Sequence, residues 1–320
     1  MLYSIEVNHN KMSKVTFIAT VLNEENTITK LLDSLSNQTK KVNEIIIVDA
    51  GSTDKTVFAI NQFTKIKSVI LVKKKGNRSV GRNFAIKKAT GEIIVASDAG
   101  CILKSDWVEK ITEPFKDRAV DVVAGYYKPI VKNIFQKSLA TYTSVMPDRV
   151  TSDFLPSSRS IAFRKNAWQK IGGYPENLST CEDLVFARNL KRTGFKFKVE
   201  KKAIVNWPQR ETLLQAFLQF FSYAKGDGKA GYLRRQTPLL FLRCVIGGLL
   251  IAIAIYKNSL LLLLLCLFLF FLYCLWSVGK NYRYVKSTSA FVYLPLLQIL
   301  SDIAVFFGMT IGFFQQDEKR

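Results

Sequence analysis

The stretch from Gly91 to Trp107 reads GEIIVASDAGCILKSDW. Four strand-forming residues, Ile93 to Ala96, stop abruptly at Ser97-Asp98-Ala99-Gly100. A short apolar run bounded by turn residues has the pattern of a buried strand. Such a strand carries a carboxylate to its own C-terminal tip. In open α/β sheets ligands bind beyond the carboxyl ends of the strands, so Asp98 stands where a ligand or metal would be held. The competing local explanation is a turn, because Asp before Gly is at home in loops. The neighbouring segments decide between the two.

Upstream, Val15 to Thr20 forms a strand that breaks at Leu22-Asn23-Glu24-Glu25. A helix follows with Ile28, Leu31, Leu32 and Leu35 at helical spacing, and Asn23, Asn26 and Thr27 compete to cap it. Glu44 to Val48 is a second strand, ending in Asp49-Ala50-Gly51-Ser52-Thr53-Asp54. A helix begins near Lys55, Val69 to Val72 makes a third strand, and Gly76 to Asn83 enters a helix containing Ala85, Ile86 and Ala89. This repeated alternation predicts a parallel sheet covered by helices. Asp49 is an acceptor suited to the donor edge of a base or to a ribose hydroxyl, and Gly51-Ser52 lets backbone approach a ligand. There is no GxxxxGK[ST], and no GxGxxG after the first strand, which argues against a kinase or a dehydrogenase. Lys75, Arg78 and Arg82 are cations near the same ends of the sheet. Together they could hold a diphosphate; singly, each reads better as a solvated surface charge.

The bulk composition narrows the chemistry. The chain has 320 residues and a formal net charge of +21. Its basic residues are scattered and fit no nucleic-acid-binding module, so an anionic membrane surface is the better partner. Cys101, Cys181, Cys244, Cys266 and Cys274 form no CxxC pair and read as free thiols in a reducing compartment. The single histidine, His9, lies in a polar N-terminal segment. A histidine triad and a histidine-ligated zinc site are thereby disfavoured, and acid–base work falls to carboxylates. Met1 to Lys14 lacks the apolar core of a cleavable signal peptide, so the N-terminal domain is expected in the cytoplasm.

Taken together, VTFIATVLNEENTITKLLDSL, EIIIVDAGSTDKT and GRNFAIKKATGEIIVASDAG resemble the nucleotide-sugar half of the family 2 glycosyltransferases. The resemblance implies a GT-A fold: one α/β nucleotide-sugar-binding domain with a mostly parallel central sheet, using a nucleoside-diphosphate sugar. It places Asn23 and Glu24 in the first nucleotide-binding loop and Asp49, with Ser52 beside it, at the base. Arg82 and Asn83 fall in the donor site, and Asp98 opens the metal-binding DxD. The third position of that motif is Gly100 here. A divalent ion, Mg²⁺ or Mn²⁺, would then rest on Asp98, the sugar diphosphate and water, a mode open to Mg²⁺. The alternative is that Lys or Arg neutralises the diphosphate. Asp106 is expected to cap the helix beginning at Trp107.

The second half reads as acceptor side. Val120 to Tyr126 and Ser157 to Arg164 are strands, Phe135 to Tyr142 is helical, and Gly172-Gly173-Tyr174-Pro175 is a turn. Cys181-Glu182-Asp183 opens a helix with Leu184, Phe186, Ala187 and Leu190. Acidic residues at a helix start have a purely structural explanation in the helix dipole. The resemblance instead makes Asp183 the catalytic base, with Glu182 as its neighbour. Inverting transfer is one displacement and needs one base, whereas retention by double displacement needs a second nucleophile for which there is no candidate. The leaving diphosphate needs positive charge. Val199 to Val205 is a further strand. Glu211 to Tyr223 is expected as an amphipathic interfacial helix, with Ala224 to Lys229 a flexible basic loop. Gln219 to Tyr223 shares only its glutamine with the QxxRW of processive synthases. Trp207, Arg210 and Lys225 are further candidates for the acceptor or diphosphate site, with packing or lipid-headgroup contact an equal explanation for each.

Three apolar segments close the chain: 238–256, 259–278 and 291–314, each near the length needed to cross a membrane. Arg243 is placed to snorkel, and Asp302 is expected to face protein. Lys280, Arg283 and Lys286 mark the connection after the second segment as cytoplasmic. Three spans then put the C-terminus outside; a hairpin with a re-entrant third segment is the alternative. The expected organisation is an extension over 1–13, a GT-A domain over 14–210, an interfacial helix and basic loop over 211–237, and a membrane domain over 238–320. The expected activity is inverting transfer from a nucleoside-diphosphate sugar to a lipid-linked or cell-envelope glycan acceptor, without nucleic acid. Transfer to polyprenyl phosphate, and a non-catalytic nucleotide-sugar-binding membrane scaffold, are the alternatives.

Overall fold

Near-continuous apolar runs make strands that are buried on both faces, and the first strands of this chain are built that way. In the computed structural model, which describes residues 13–66 and 69–316, they alternate with helices in the order β1 (Val15–Val21), α1 (Ile28–Ser36), β2 (Glu44–Asp49), α2 (Thr56–Asn61), β3 (Val69–Lys73), α3 (Arg78–Lys88) and β4 (Ile93–Ala96). Then come β5 (Ile102–Leu103), α4 (Trp107–Thr112), β6 (Val122–Ile130), α5 (Ile134–Thr143), β7 (Ile161–Arg164), α6 (Lys165–Lys170), α7 (Glu182–Arg192) and β8 (Phe197–Pro208). Four long helices follow: α8 (Leu213–Lys229), α9 (Thr237–Tyr256), α10 (Leu260–Val285) and α11 (Ala290–Phe314). His9 and nearly all of the expected extension over 1–13 lie outside the described residues.

The chain divides into two compact units. The first takes in the chain to Tyr127 together with Phe154–Tyr174 and Phe186–Asn206; the second takes in Lys128–Asp153, Pro175–Val185 and the chain from Trp207 onward. One eight-stranded sheet has the order β3-β2-β1-β4-β7-β6-β8-β5. β1 pairs in parallel with β2 and β4, and β2 with β3. Beyond β4 the sense changes: β7 is antiparallel to both β4 and β6, and β5 is antiparallel to β8. The sheet is therefore mixed, with its parallel character confined to the first half of the chain, where helices supply the crossovers. Under it lies a core that includes Ile18, Ile46, Ile94, Phe163 and Phe186. Tyr174 stacks on Phe186 at 3.8 Å, and the buried Trp107 donates to Ser160 Oγ at 2.9 Å.

Two expected caps are not made. Asn23 does not cap α1, which starts after Thr27; Asn23 adopts φ 55° and its side-chain oxygen accepts from Thr53 N at 2.9 Å. Asp106 occupies the N-cap position of α4 without a capping hydrogen bond, and Lys104 lies 3.2 Å from its carboxylate. In both cases a nearby partner competes successfully for a short polar side chain.

In the second unit, the expected basic loop 224–229 is the last part of helix α8. Packing overrides the weak helix propensity of Gly226 and Gly228. A Cβ on Gly228 would stand 2.4 Å from Met309 O, one on Gly308 2.6 Å from Phe221 O, and one on Gly312 2.1 Å from Lys225 O. α8 and α11 thus meet backbone to backbone, which only residues without side chains allow. α10 also runs further than the apolar run that announced it, so Lys280 and Arg283 are helical and only residues 286–289 connect to α11. α9, α10 and α11 are long and apolar enough to cross a membrane. Asp302 meets protein: Arg243 and Tyr273 reach one carboxylate oxygen, and Gln298 Nε2 donates to the other at 2.9 Å. A Gly312→Val substitution should force α8 and α11 apart. We expect a loss of about 1–3 kcal/mol, the usual scale for overpacking, read as a lower denaturation midpoint in detergent with α-helix content retained; an unchanged midpoint would show that the contact is not tight.

Candidate active site

The tips of β1 and β2 are laced together by side chains. Asn23 N donates to Ser52 Oγ at 2.9 Å, and Ser52 N donates to the Asp49 carboxylate at 3.0 Å. Glu24 N donates to Thr56 Oγ1 at 2.7 Å, Glu25 N to Asp54 at 3.1 Å, and Lys55 N to Glu25 at 2.9 Å. The Glu24 carboxylate accepts from Thr27 Oγ1. Asp49 is only 1% exposed. The sequence-predicted residues Asn23, Glu24, Asp49 and Ser52 therefore lie together at the carboxyl ends of β1 and β2.

Asp98 lies just beyond the tip of β4. β4 and β7 pair antiparallel as far as Ala96 opposite Ile161, and Asp98 and Arg159 each lie two residues past that last pair, Arg159 in the turn before β7. Arg159 Nε is 3.9 Å from Asp98 Oδ2, and its guanidinium lies 5.5 Å from the Tyr127 ring centroid. From the other side Arg82 Nη2 donates to Asp98 Oδ1 at 2.8 Å, while its guanidinium lies 5.4 Å from the Tyr174 ring centroid. Arg82 is 4% exposed. It reaches this position because α3 packs hard on β1: a Cβ on Gly81 would stand 2.5 Å from Thr20 Cγ2. Burial alone would push the Asp98 carboxyl up, but Arg82, Arg159 and Arg78 outweigh it and hold the group below the usual carboxylate range. Neighbouring Cys101 shows the opposite outcome: burial, aided by Asp98, pushes its thiol up to about 12, so it stays an unreactive thiol.

Asn83 is next to Arg82 but is tied into the fold. Its side-chain oxygen accepts from Tyr174 N at 2.8 Å and Trp168 Nε1 at 3.0 Å, and its amide nitrogen donates to Tyr174 O at 2.8 Å. In the second unit, α7 opens on Glu182 and Asp183, directly after Cys181 with φ 66°. Glu182 is buried, and Asp183 Oδ1 accepts from Leu184 N at 2.8 Å. A carboxylate in the first turn of an eleven-residue helix is stabilised by the dipole. Burial and the nearby Asp227 push the Cys181 thiol up, and the buried Asp227 is itself paired with Arg234.

The family model for glycosyl transferase family 2 matches residues 16–172. Residues 16–172 belong to that family. The glycosyltransferase is 23% identical over 221 residues to the O-antigen chain rhamnosyltransferase RfbN of Salmonella typhimurium, covering 65% of this chain and 70% of that one. It is 30% identical over 184 residues to the poly(ribitol-phosphate) beta-glucosyltransferase of Bacillus spizizenii, covering 55% of this chain and 29% of that much longer protein. Among solved structures, its fold is similar to the mannosyltransferase PcManGT from Pyrobaculum calidifontis in complex with GDP-Man and Mn²⁺. The TM-score is 0.61 at 18% identity, over 93% of this chain and 88% of that one.

The metal expectation meets a different donor set in the glycosyltransferase. A Cβ on Gly100 would meet nothing within 4 Å, so the space that a second carboxylate could fill is open. Asp98 is the one carboxylate of the motif, and Arg82 already pairs with it. Among the described residues no group of three or more His, Cys, Asp or Glu could hold a metal ion. These side chains do not by themselves make a divalent-ion site. Arg159 was not singled out from the sequence; its one signal was a charged residue among serines just before an apolar strand.

Replacing Asp98 by Asn should remove the charge-assisted contacts that Asp98 makes with Arg82 and Arg159. We expect about 1.5–3 kcal/mol of destabilisation at pH 7, the scale of hydrogen bonds to charged groups. Because the folded-state pKa is depressed, this contribution is present above the ordinary value near ~3.9 and is lost as pH falls through the lower folded value. The gap between wild type and Asp98→Asn should thus close below about pH 4 in thermal melts. A gap independent of pH would remove the electrostatic assignment.

Proposed function

We propose that the protein is a membrane-anchored inverting glycosyltransferase. It moves a sugar from a nucleoside-diphosphate donor to a lipid-linked or cell-envelope glycan acceptor at the cytoplasmic face. The observation that carries this reading is the Asp98–Arg82–Arg159 cluster beside the laced β1 and β2 tips, inside a family 2 domain. Asn23, Glu24, Asp49 and Ser52 supply acceptors and backbone donors for the nucleoside. Arg82 and Arg159 supply the positive charge that a departing diphosphate requires. Asp98 fixes both guanidinium groups, while Asn83 holds the Tyr174 turn on which Arg82 lies. Asp183 takes the proton of the acceptor hydroxyl as its oxygen attacks the anomeric carbon; the bond to the diphosphate breaks on the opposite face, which inverts the centre. Glu182 is its buried neighbour. The relatives that act on O-antigen chains and poly(ribitol-phosphate) favour an envelope glycan over other acceptors. The proposed organisation is a catalytic domain over 14–210, an interfacial segment over 211–237 and a membrane domain over 238–320.

The test is donor turnover by the full chain in detergent, with a panel of nucleoside-diphosphate sugars and a membrane lipid extract, with and without chelator. Asp183→Asn should lose about 10²–10⁴-fold in transfer rate while still binding donor. Chelator should slow transfer far less than Arg82→Gln does. Unimpaired transfer by Asp183→Asn would instead favour an acceptor that is already an anion, such as polyprenyl phosphate. Donor binding without any turnover would favour the scaffold reading.

α8 and α11 run side by side in the same direction: Gly308 meets Phe221 O, Gly312 meets Lys225 O, and Gln316 Nε2 donates to Gly228 O. A fully spanning α11 would carry Lys225, Asp227 and Lys229 to the far side of the membrane, at a high cost in solvation. α9 and α10 therefore cross as a hairpin, with the basic end of α10 cytoplasmic, and α11 lies with α8 along that same interface. A reporter fused after Arg320 should report the cytoplasm; a reporter active only outside the cell would restore three spans.

A further inference from the structure

One face of α10 combines cations and aromatic rings. Tyr273, Trp276, Lys280 and Tyr284 follow one another at spacings of three or four residues, which stack on one side of a helix. Lys280 Nζ lies 5.0 Å from the Trp276 ring centroid and 5.7 Å from that of Tyr142 on α5. Toward the end of the helix, Arg283 and Arg149 lie 4.6 and 5.3 Å from the Tyr284 ring centroid.

The acids near this face are already engaged. Asp148 pairs with Arg283 at 2.7 Å and accepts from the Tyr284 hydroxyl at 2.9 Å. Asp302 is engaged by Arg243, Tyr273 and Gln298. Arg149, Arg243 and Asp302 are the charged groups that act on Lys280, and among the described residues no carboxylate forms an ion pair with it. Taken together, Arg149, Arg243, Lys280 and Arg283 stand against the two carboxylates of Asp148 and Asp302. Aromatic rings hold the cations in place, but they do not neutralise them.

The height of the group along the helix says what could. Lys280 is about 20 residues from the start of α10, a rise of about 30 Å at 1.5 Å per residue, which is the thickness of the hydrocarbon layer. Its ammonium therefore stands at headgroup level, within the belt of Trp and Tyr that marks such boundaries. Beside it Leu272, Leu275 and Trp276 are 43%, 44% and 49% exposed and offer an apolar flank to a lipid tail.

We propose that Lys280 and Arg149, framed by Trp276 and Tyr142, bind the phosphate of a membrane lipid. The phosphate neutralises the unbalanced cations, and the chain of the lipid lies against the apolar flank of α10. This rests on the glycosyltransferase reading only for the role of the lipid, as the carrier of the acceptor; binding itself needs no donor and no turnover. Two sources share the chemistry, a long-chain prenyl phosphate and an anionic phospholipid.

The experiment measures lipid binding by the full chain in nanodiscs of phosphatidylcholine. Undecaprenyl phosphate, phosphatidylglycerol and inorganic phosphate are added in separate arms, with transfer activity assayed independently. Lys280→Gln should weaken lipid-phosphate binding at least about tenfold, the scale of one charge-assisted contact. Lys280→Arg should restore most of it. Lys257→Gln removes a cation that also lies over a ring, 5.7 Å from the Tyr256 centroid at the other end of the hairpin, and should change nothing. Prenyl phosphate binding more tightly than phosphatidylglycerol identifies a carrier lipid; equal binding identifies bulk anionic lipid as the source. The proposal is overturned by a folded Lys280→Gln protein that binds as wild type does, or by inorganic phosphate that displaces the lipid at equal concentration. Loss of transfer with lipid binding intact would count against the function reading and leave this site standing.

Discussion

At the tip of β4 a carboxylate is shared between two guanidinium groups, and the charge of the candidate site depends on that balance. Asp98 alone in a partly buried site would be costly, and so would Arg82, which is nearly enclosed. Each is tolerable because the other is there. Arg82 is fixed by the close packing of α3 on β1 and by the Tyr174 ring; Arg159 lies in the turn before β7 with its guanidinium near the Tyr127 ring. The result is a site with fixed positive charge before any ligand arrives. Preorganised charge of this kind needs little rearrangement when a diphosphate departs.

The second unit depends on a constraint of a different kind. Gly228, Gly308 and Gly312 leave no side-chain volume where α8 and α11 meet, so the two backbones touch. The contact converts a segment of poor helix propensity into the end of a long helix. It also joins a polar helix end to an apolar helix. Asp302, Arg243 and Tyr273 obey the same rule that governs Asp98: a carboxylate in an apolar setting is retained with its partners in place.

Much of the first unit was legible in the sequence. The apolar runs at 15–20, 44–48, 69–72 and 93–96 became β1 to β4 within a residue or so, and Asp49 and Asp98 do stand at strand tips. Local pattern suffices there because parallel strands buried on both faces advertise themselves. Capping was less legible: Asn23 and Asp106 had plausible local roles, and partners elsewhere or close by took them instead. The extent of α8 and α10 was missed for a related reason. Glycines and basic residues look like loop in a local window, and only packing against other helices says otherwise.

The sequence by itself determined the alternation of strand and helix, the carboxylates at the strand tips and the apolar length of the last three helices. These are properties of periodicity and composition, which act within a few residues. The tertiary structure decided which charges meet. Arg159 comes near Asp98 from the turn that precedes β7, the strand paired with β4, and Lys280 meets Tyr142 only because α5 packs on α10. Such pairs are far apart in the chain, and their partnership is fixed by strand pairing and helix packing that no local pattern encodes.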